Sequence, residues 1–328
     1  MARGEGTRTE SRSALQGRDA YSINWRLAAA VVLLQAILLV VSPPLLVFAL
    51  IEVMIFALYA SALNLLLSFS GMVSFGHAVY FGLGAYGLAL SITHFDFPIA
   101  LGIVAGPLVA AFFGLIYGIL CVQLTAIYAA MLTLACAEVT YAVVFQWFDV
   151  TGGDSGISGH VPTMLGLAPY QFGLVVLCVV TVAILMLWRV VYSPLGLTIR
   201  AVGQNPARAA ALGHGRKSIQ LIAFVISAFF SGVAGTLFGI FHGNVFPDYV
   251  GVLFTVDGLL MVVLGGLYSF GAGIYGAIIY KLLDNLAAHY FQYWQLVVGV
   301  IIVVVVLVSP SGIAGLVRRI VDRFERRP

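Results

Sequence analysis

The chain has 328 residues, of which 62% are hydrophobic and only 9% carry a charged side chain, and its formal net charge is +3. A water-soluble globular protein has roughly 25% charged residues, so this composition excludes that class. The apolar runs are continuous rather than alternating, which favours transmembrane helices over a β-barrel. We therefore predict an all-α polytopic integral membrane protein.

The chain begins with a polar, Arg-rich segment, residues 1–26, which is predicted to be a disordered basic cytoplasmic tail. Residues 318–328 are predicted to form a second basic tail, and residues 27–317 the membrane domain. The two glycine-rich segments, near 73–90 and 265–273, are also compatible with re-entrant hairpins. About ten transmembrane helices are predicted, at residues 27–41, 45–67, 73–90, 99–122, 127–148, 171–192, 218–241, 252–264, 274–289 and 294–308.

The positive charges predict the orientation of these helices. All Lys and Arg residues except Lys281 fall within residues 3–26, 189–217 and 318–327. The positive-inside rule places all three groups in the cytoplasm. Ten spans counted from a cytoplasmic N-terminus put the segment 193–217 and the C-terminus on that same side, so the count agrees with the charges.

The segment 193–217 is the long polar interruption between apolar runs, and it is predicted to form two short capped helices. Ser193 is placed to cap a first helix that Gly203 ends, and Asn205 to cap a second that Gly213 ends. A proline follows each cap residue, which suits the first turn of a helix.

One face of the first of these helices is apolar. Leu195, Ile199 and Val202 share a helical stripe, and Arg200 is expected to face elsewhere. The segment is either a surface loop whose cations meet anionic lipid or a docking element for a cytoplasmic partner.

Polar side chains interrupt two of the apolar runs and are candidates for a translocation pathway. Asn64, Ser74 and His77 lie in one glycine-rich region, and Thr133 and Glu138 lie in a later span. Polar groups in hydrocarbon need partners or a wet cavity, so we expect these residues to lie near one another. Helix packing alone is the alternative for the small residues and the histidine, and holding helices together is the alternative for Glu138.

Further charges lie within or at the edges of the spans, at Glu52, Asp257, Lys281 and Asp284. Lys281 and Asp284 are three residues apart on one predicted helix and can neutralise each other. We expect structural pairing there.

The cysteines, Cys121, Cys136 and Cys178, lie in hydrophobic runs without ligand spacing. They are predicted to be packing residues, and neither a disulfide nor a metal site is implied.

The predicted outer loop 149–170 is acidic and contains the run TGGDSGISG. Its glycines allow close backbone approach, so Thr151, Gly152, Gly153, Asp154 and Ser155 are candidates for contact with a binding protein or a solute. A flexible connector is the alternative. The pattern G-x-x-S-F-G occurs at 71–76 and again at 266–271, and we interpret it as two similar turns on the same side of the membrane.

Several of these segments resemble the permeases of branched-chain amino acid ABC importers, in particular their LivM-type subunit. The resemblance begins at N-L-L-x-x-x-x-G-x-x-S-x-G-H, from Asn64 to His77, and continues to the C-terminus. The other matching motifs lie at residues 128–138, 151–159, 193–213 and 261–266.

The resemblance implies a subunit that forms half of a translocation pathway in a bacterial inner membrane. Its implied partners are a homologous permease in a heterodimer, two cytoplasmic ATPase subunits and an extracytoplasmic solute-binding protein. No cofactor is implied in this chain, because ATP is bound by the ATPases. The residues implied in ATPase coupling are Arg200, Gln204, Asn205, Arg208, Ala209, Ala210 and Gly213. Family members often have acidic residues where Gln204, Asn205 and Arg208 stand.

The alternative function is an ion-coupled secondary transporter or channel for a small polar solute. The chain contains no G-x-x-x-x-G-K-[ST] loop, so ATP chemistry is assigned to another polypeptide. It also lacks the H-E-x-x-H metal pattern and a nucleophile–base arrangement, so an enzyme is not expected.

Overall fold

The computed structural model describes residues 25–267, 269–290, 293, 296, 299 and 300. The predicted C-terminal tail, nearly all of the N-terminal tail and most of the predicted span 294–308 lie outside these residues. The helices, numbered in chain order, are α1 Trp25–Val41, α2 Pro44–Asn64, α3 Ala78–Thr93, α4 Ile99–Cys121, α5 Ala126–Gln146, α6 Phe148–Thr151, α7 Pro169–Val191, α8 Pro194–Gln204, α9 Pro206–Ala211, α10 Arg216–His242, α11 Val252–Gly265 and α12 Ala272–Tyr290.

The described chain is helical, as predicted, and each predicted span up to residue 289 coincides with a helix. Within the part of the chain that the structure describes, five helical stretches are long and apolar enough to cross a membrane: Pro44–Ser70, Ile99–Cys121, Ile127–Gln146, Pro169–Val191 and Arg216–His242. α3, with 16 residues, and α11, with 14, are shorter. α3 begins five residues later than predicted, because the preceding residues form a non-helical segment that packs against α5.

The interhelical connections gather at opposite ends of the helical bundle. At one end, α8 lies against the π-helix Leu65–Ser70 that continues α2. At the other, the Nε2 atom of His94 lies 2.9 Å from the carbonyl oxygen of Val150. The same end contains a short antiparallel sheet in which β1, Ile157–Ser158, pairs with β2, Asn244–Val245. The predicted cytoplasmic segment and the predicted outer loops are therefore separated.

Glycines bring the backbones of α3, α4 and α10 together. A Cβ atom added to Gly84 would clash with the carbonyl oxygen of Gly232, and one added to Gly106 would clash with the hydroxyl of Thr236. The Thr236 hydroxyl lies 2.8 Å from the carbonyl oxygen of Gly232, to which it donates, and 3.1 Å from that of Gly84. Small residues at such positions allow helices to pack closely where hydrocarbon tails provide no hydrophobic driving force.

Aromatic rings fill the centre of the bundle, where α2, α3, α10 and α11 meet. The ring centroids of Tyr59 and Phe81 are 5.1 Å apart, and those of Phe56 and Phe238 are 5.6 Å apart. The ring centroid of Phe254 in α11 lies 5.7 Å from that of Phe81. Such tilted and edge-to-face pairs add to the stability that burial alone provides.

The glycine contacts predict the effect of adding one methyl group. We expect Gly84→Ala to lower the free energy of unfolding by about 1–3 kcal/mol, because the new atom meets a backbone that cannot move aside. Thermal unfolding in detergent measures this loss. Gly215→Ala is the matched control, since the nearest atom to its added Cβ is the Ser218 hydroxyl at 3.9 Å. Equal melting temperatures for the two variants would contradict close packing at Gly84.

Candidate functional site

Two short helices, α8 and α9, form the predicted coupling segment, and their caps are those predicted. The Ser193 hydroxyl accepts a hydrogen bond from the backbone N–H of Gly196 at 3.3 Å, and Asn205 Oδ1 accepts one from the N–H of Arg208 at 3.0 Å. Gly213 has φ +85° just beyond α9. The prediction of two consecutive capped helices is confirmed.

The prediction that Gly203 ends the first of these helices is wrong, because α8 continues to Gln204. It allows α8 to approach the end of α2. A Cβ atom at Gly203 would lie 2.8 Å from the carbonyl oxygen of Phe69 and 2.9 Å from that of Ser70. Gly71 approaches from the other side with φ +67°, a conformation that suits glycine. Backbone therefore packs on backbone at this contact.

Arg200 points toward the membrane bundle, and the expectation that it faces elsewhere is wrong. Its guanidinium carbon lies 4.6 Å from the ring centroid of Phe69 and 5.1 Å from that of Tyr192. One terminal nitrogen donates to the carbonyl oxygen of Val191 at 3.4 Å. Cation–π attraction to two rings explains the inward orientation, because aromatic faces stabilise a guanidinium that has left water.

The remaining surface of the segment is open. The predicted stripe packs inward, with Ile199 and Val202 buried. Ala209 is also buried, and a cavity of about 160 Å³ separates parts of α8 from the end of α2. The other predicted coupling residues are exposed: Gln204, Asn205, Arg208, Ala210 and Gly213.

Asn64 connects two turns at this end of the bundle. Its Oδ1 atom accepts a hydrogen bond from the Ser68 hydroxyl at 2.6 Å. Its Nδ2 atom donates to the carbonyl oxygen of Ser269 at 2.8 Å and lies 3.4 Å from that of Phe270. Asn64 therefore links the end of α2 to the second G-x-x-S-F-G segment, in the turn between α11 and α12.

Thr133 packs beneath the non-helical segment that precedes α3. Its hydroxyl donates to the carbonyl oxygen of Ala130 at 2.7 Å and accepts from the N–H of Phe75 at 3.1 Å. A Cβ atom at Gly76 would clash with the carbonyl oxygen of Thr133. Ser74, in the same segment, is buried.

His77 is fully buried among polar and aromatic groups. Its Nε2 atom lies 3.4 Å from the Ser227 hydroxyl, which donates to the carbonyl oxygen of Ala62 at 2.5 Å. The rings of Tyr59 and Tyr80 lie 5.8 and 5.4 Å from the imidazole centroid. The structure thus places Asn64, Ser74, His77 and Thr133 inside the chain.

Glu138 is separate from these four residues. It is exposed on α5, whereas Thr133, Ala137 and Thr140 form the buried stripe of that helix. The residue types do not reveal this separation, because both sets look like polar interruptions of an apolar run.

Lys281 has a partner that sequence spacing missed. Its Nζ atom lies 2.9 Å from Oε1 of Glu52 in α2 and 3.8 Å from Oδ2 of Asp284, the predicted partner. It also lies 4.0 Å from the ring centroid of Phe56. Asp257 of α11 accepts a hydrogen bond from the Tyr280 hydroxyl. A charge inside a span needs such partners, and that need is the signal that could have suggested Glu52.

The predicted outer loop is well tied to the bundle. The Thr151 hydroxyl lies 2.5 Å from the carbonyl oxygen of Val144, to which it donates, and 2.8 Å from that of Trp147. Gly152 and Gly153 have φ +76° and +58°. Of the five candidate contact residues, Asp154 and Ser155 are exposed, whereas Thr151 and Gly153 are buried and are not available for contact in this structure. Among the described residues, no group of His, Cys, Asp and Glu is arranged to hold a metal ion.

Comparison with known proteins extends over most of this architecture. The chain is 28% identical over 292 residues to the high-affinity branched-chain amino acid transport system permease protein LivM of Escherichia coli K12, covering 81% of this chain and 69% of that protein. It is 28% identical over 187 residues to LivH of Salmonella typhimurium LT2, covering 56% and 58%. A probable LivM of Methanocaldococcus jannaschii is 23% identical over 206 residues, covering 57% and 59%. No solved structure matches the chain.

The family described as branched-chain amino acid transport system, permease component, matches residues 45–307. That range contains the aromatic centre of the bundle, both G-x-x-S-F-G turns and the capped pair α8 and α9. The chain therefore belongs to the branched-chain amino acid transport permease family.

Proposed function

We propose that this chain is a transmembrane permease subunit of an ATP-driven importer for branched-chain or related amino acids, in which it forms half of the translocation pathway. The observation that carries this proposal is the contact of α8 with the end of α2, because it joins an exposed surface to the membrane bundle. Family membership supports the same assignment. The chain acts as a gate that other subunits drive.

The contacts at this end define a route for coupling. ATPase subunits bind the exposed surface of α9 and displace α8 when ATP closes them. The Gly203 backbone and the Arg200 guanidinium transmit that displacement to the π-helix, since both contact Phe69. Asn64 then links α2 to the turn between α11 and α12. Rearrangement of packed helices between two states is an established form of such a transition.

The proposed assembly contains more than this chain. Similarity to both LivM and LivH supports pairing with a homologous permease in a heterodimer. Two cytoplasmic ATPases supply ATP binding, and an extracytoplasmic binding protein delivers the solute. We place the complex in the bacterial inner membrane, with about ten spans in this chain and both termini in the cytoplasm, in line with the positive charges of α8 and α9.

The outer face is the proposed docking surface for the solute-binding protein. Asp96, Asp149, Asp154 and Asp248 are exposed there, and the described outer loops contain no Lys or Arg. The Thr151 hydrogen bonds hold the loop in one shape, which favours a docking element over a loose connector. An acidic surface is complementary to a basic one and accelerates association.

The proposed pathway runs along α5. Four of the candidate residues are buried within the chain in this conformation and therefore pack behind the surface that lines the pathway: Asn64, Ser74, His77 and Thr133. The exposed face of α5 that contains Glu138 is the part available to a solute.

The docking role of α9 predicts the effect of a bulky residue on its exposed surface. We expect Ala210→Trp to reduce copurification of the ATPase by about tenfold or more, because a built-in clash selectively weakens one association. Affinity purification followed by quantification of the ATPase measures it. Ala100→Trp, exposed at the opposite end of the bundle, should leave copurification unchanged. Equal ATPase recovery in both variants, or amino acid uptake without any ATPase, would favour the secondary transporter instead.

The inward position of Arg200 predicts uncoupling. We expect Arg200→Ala to insert and retain the ATPase but to transport roughly two- to thirtyfold less solute per ATP hydrolysed, because it loses a cation–π contact of about 0.5–2 kcal/mol. Parallel assays of uptake and hydrolysis in proteoliposomes give this ratio. Arg189→Ala, at an exposed arginine near the end of α7, is the control. An unchanged ratio in the Arg200 variant would count against transmission through this contact.

A further inference from the structure

The carboxylate of Glu138 occupies an unusual position near the middle of a membrane-spanning helix. At 1.5 Å per residue it lies about 18 Å from the start of α5 and about 12 Å from its end. It is exposed, as are Met131 and Ala135 on the same side of the helix. The opposite side packs against the chain through Thr133 and Ala137.

Other exposed helix faces have a different composition. On α4, the exposed residues are apolar and, apart from Ala100, large, which suits contact with lipid; they include Leu101, Val104, Leu108, Phe112, Leu115 and Ile119. The α5 face instead places a carboxylate and the small residue Ala135 among exposed apolar side chains such as Met131 and Val139. Ala135 and Ala142 lie about one turn before and after Glu138, and their size leaves space around it.

The charges within α2, α11 and α12 have partners in the chain. Lys281 contacts Glu52 and Asp284, and Asp257 accepts a hydrogen bond from Tyr280. Among the described residues, Glu138 forms neither an ion pair nor a side-chain hydrogen bond. A charge in hydrocarbon costs at least about 3 kcal/mol, so an unpaired carboxylate at this depth requires a hydrated or polar neighbour outside the described chain.

We propose that Glu138 lies in the aqueous translocation pathway and pairs with the ammonium group of the transported amino acid. This inference rests on the proposed function. The carboxylate then favours solutes with a free ammonium group and disfavours anions, which adds a charge filter within the membrane to any selection by a binding protein. The space beside Ala135 and Ala142 accommodates the solute next to the carboxylate.

The local charge can be tested with thiol reagents, independently of the binding protein. A cysteine is placed at Ala135 in the full complex lacking Cys121, Cys136 and Cys178. It is treated with a cationic trimethylammonium-ethyl or an anionic sulfonatoethyl methanethiosulfonate. We expect the cationic reagent to react about tenfold faster, relative to a free thiol, because a nearby carboxylate concentrates cations in a confined site. Glu138→Gln should abolish this preference.

A cysteine at Phe112 on the apolar face of α4 is the control and should react with neither reagent. Absence of reaction at position 135 throughout turnover would overturn the proposal, because the face would not be in water. A preference that persists in Glu138→Gln would also overturn it, because the charge would come from elsewhere. Equal reaction rates of the two reagents with Glu138 present would overturn the proposal as well, because a cation of a partner subunit would then neutralise the carboxylate.

Uptake measurements separate this proposal from the proposed function. We expect Glu138→Gln to lower Vmax/KM for the amino acid by about ten- to hundredfold, the range expected for a hydrogen bond to a charged group, while Glu138→Asp retains most of it. Unchanged Vmax/KM in the Gln variant would overturn the pairing alone. Absence of ATP-driven amino acid uptake by the unsubstituted complex would instead reject the proposed function.

Discussion

The structure depends on one constraint: polar groups inside an apolar bundle must find partners close by. The Thr133 hydroxyl accepts a hydrogen bond from the backbone of the segment that precedes α3. The Asn64 amide donates one to the backbone of the turn between α11 and α12. The Lys281 ammonium group forms ion pairs with carboxylates from two helices. Because an unpaired buried polar group costs about 1–3 kcal/mol, each of these contacts fixes the position of a helix or turn. Asn64 and Thr133, which resemble pathway residues in the sequence, are thereby used to join helices and turns.

The same constraint determines how α8 packs against the π-helix at the end of α2. An arginine near the membrane surface would ordinarily extend into water, but Arg200 lies against Phe69 and Tyr192. The close approach of Gly203 to the π-helix makes that arrangement possible, because a side chain there would separate α8 from α2. π-helical turns are uncommon and often occur at functional sites. The outer surface of α9 remains free for another protein while the inner surface of α8 is committed to the bundle.

Local sequence signals predicted much of this architecture. Apolar runs located the helices, and Ser193 and Asn205 are caps because their oxygens are placed to accept from the first turn of a helix. Long-range contacts could not be predicted in the same way. Arg200 and Lys281 each have a partner more than 100 residues away along the chain, Phe69 for Arg200 and Glu52 for Lys281.

Burial on α5 also depends on contacts that no local pattern contains. Thr133 and Glu138 lie five residues apart on the same helix and therefore point to different sides. Which side packs against the chain depends on the segment around Gly76, since its backbone fits against Thr133. The resemblance to the permease family identified these residues as a group, but only their packing separates the buried from the exposed member.

The central claim is that α8, the π-helix and the turn between α11 and α12 act as one mechanical unit. A double-mutant cycle between Arg200→Ala and Ser68→Ala tests this claim, because the Ser68 hydroxyl hydrogen-bonds to Asn64, which in turn donates to the carbonyl oxygen of Ser269 in the turn between α11 and α12. The measured quantity is the transport yield per ATP hydrolysed, with Thr93→Ala at the opposite end of the bundle as the independent reference. We expect an interaction energy above about 0.5 kcal/mol for the Arg200 and Ser68 pair and simple additivity for the reference pair. Additivity in both cycles would contradict the claim.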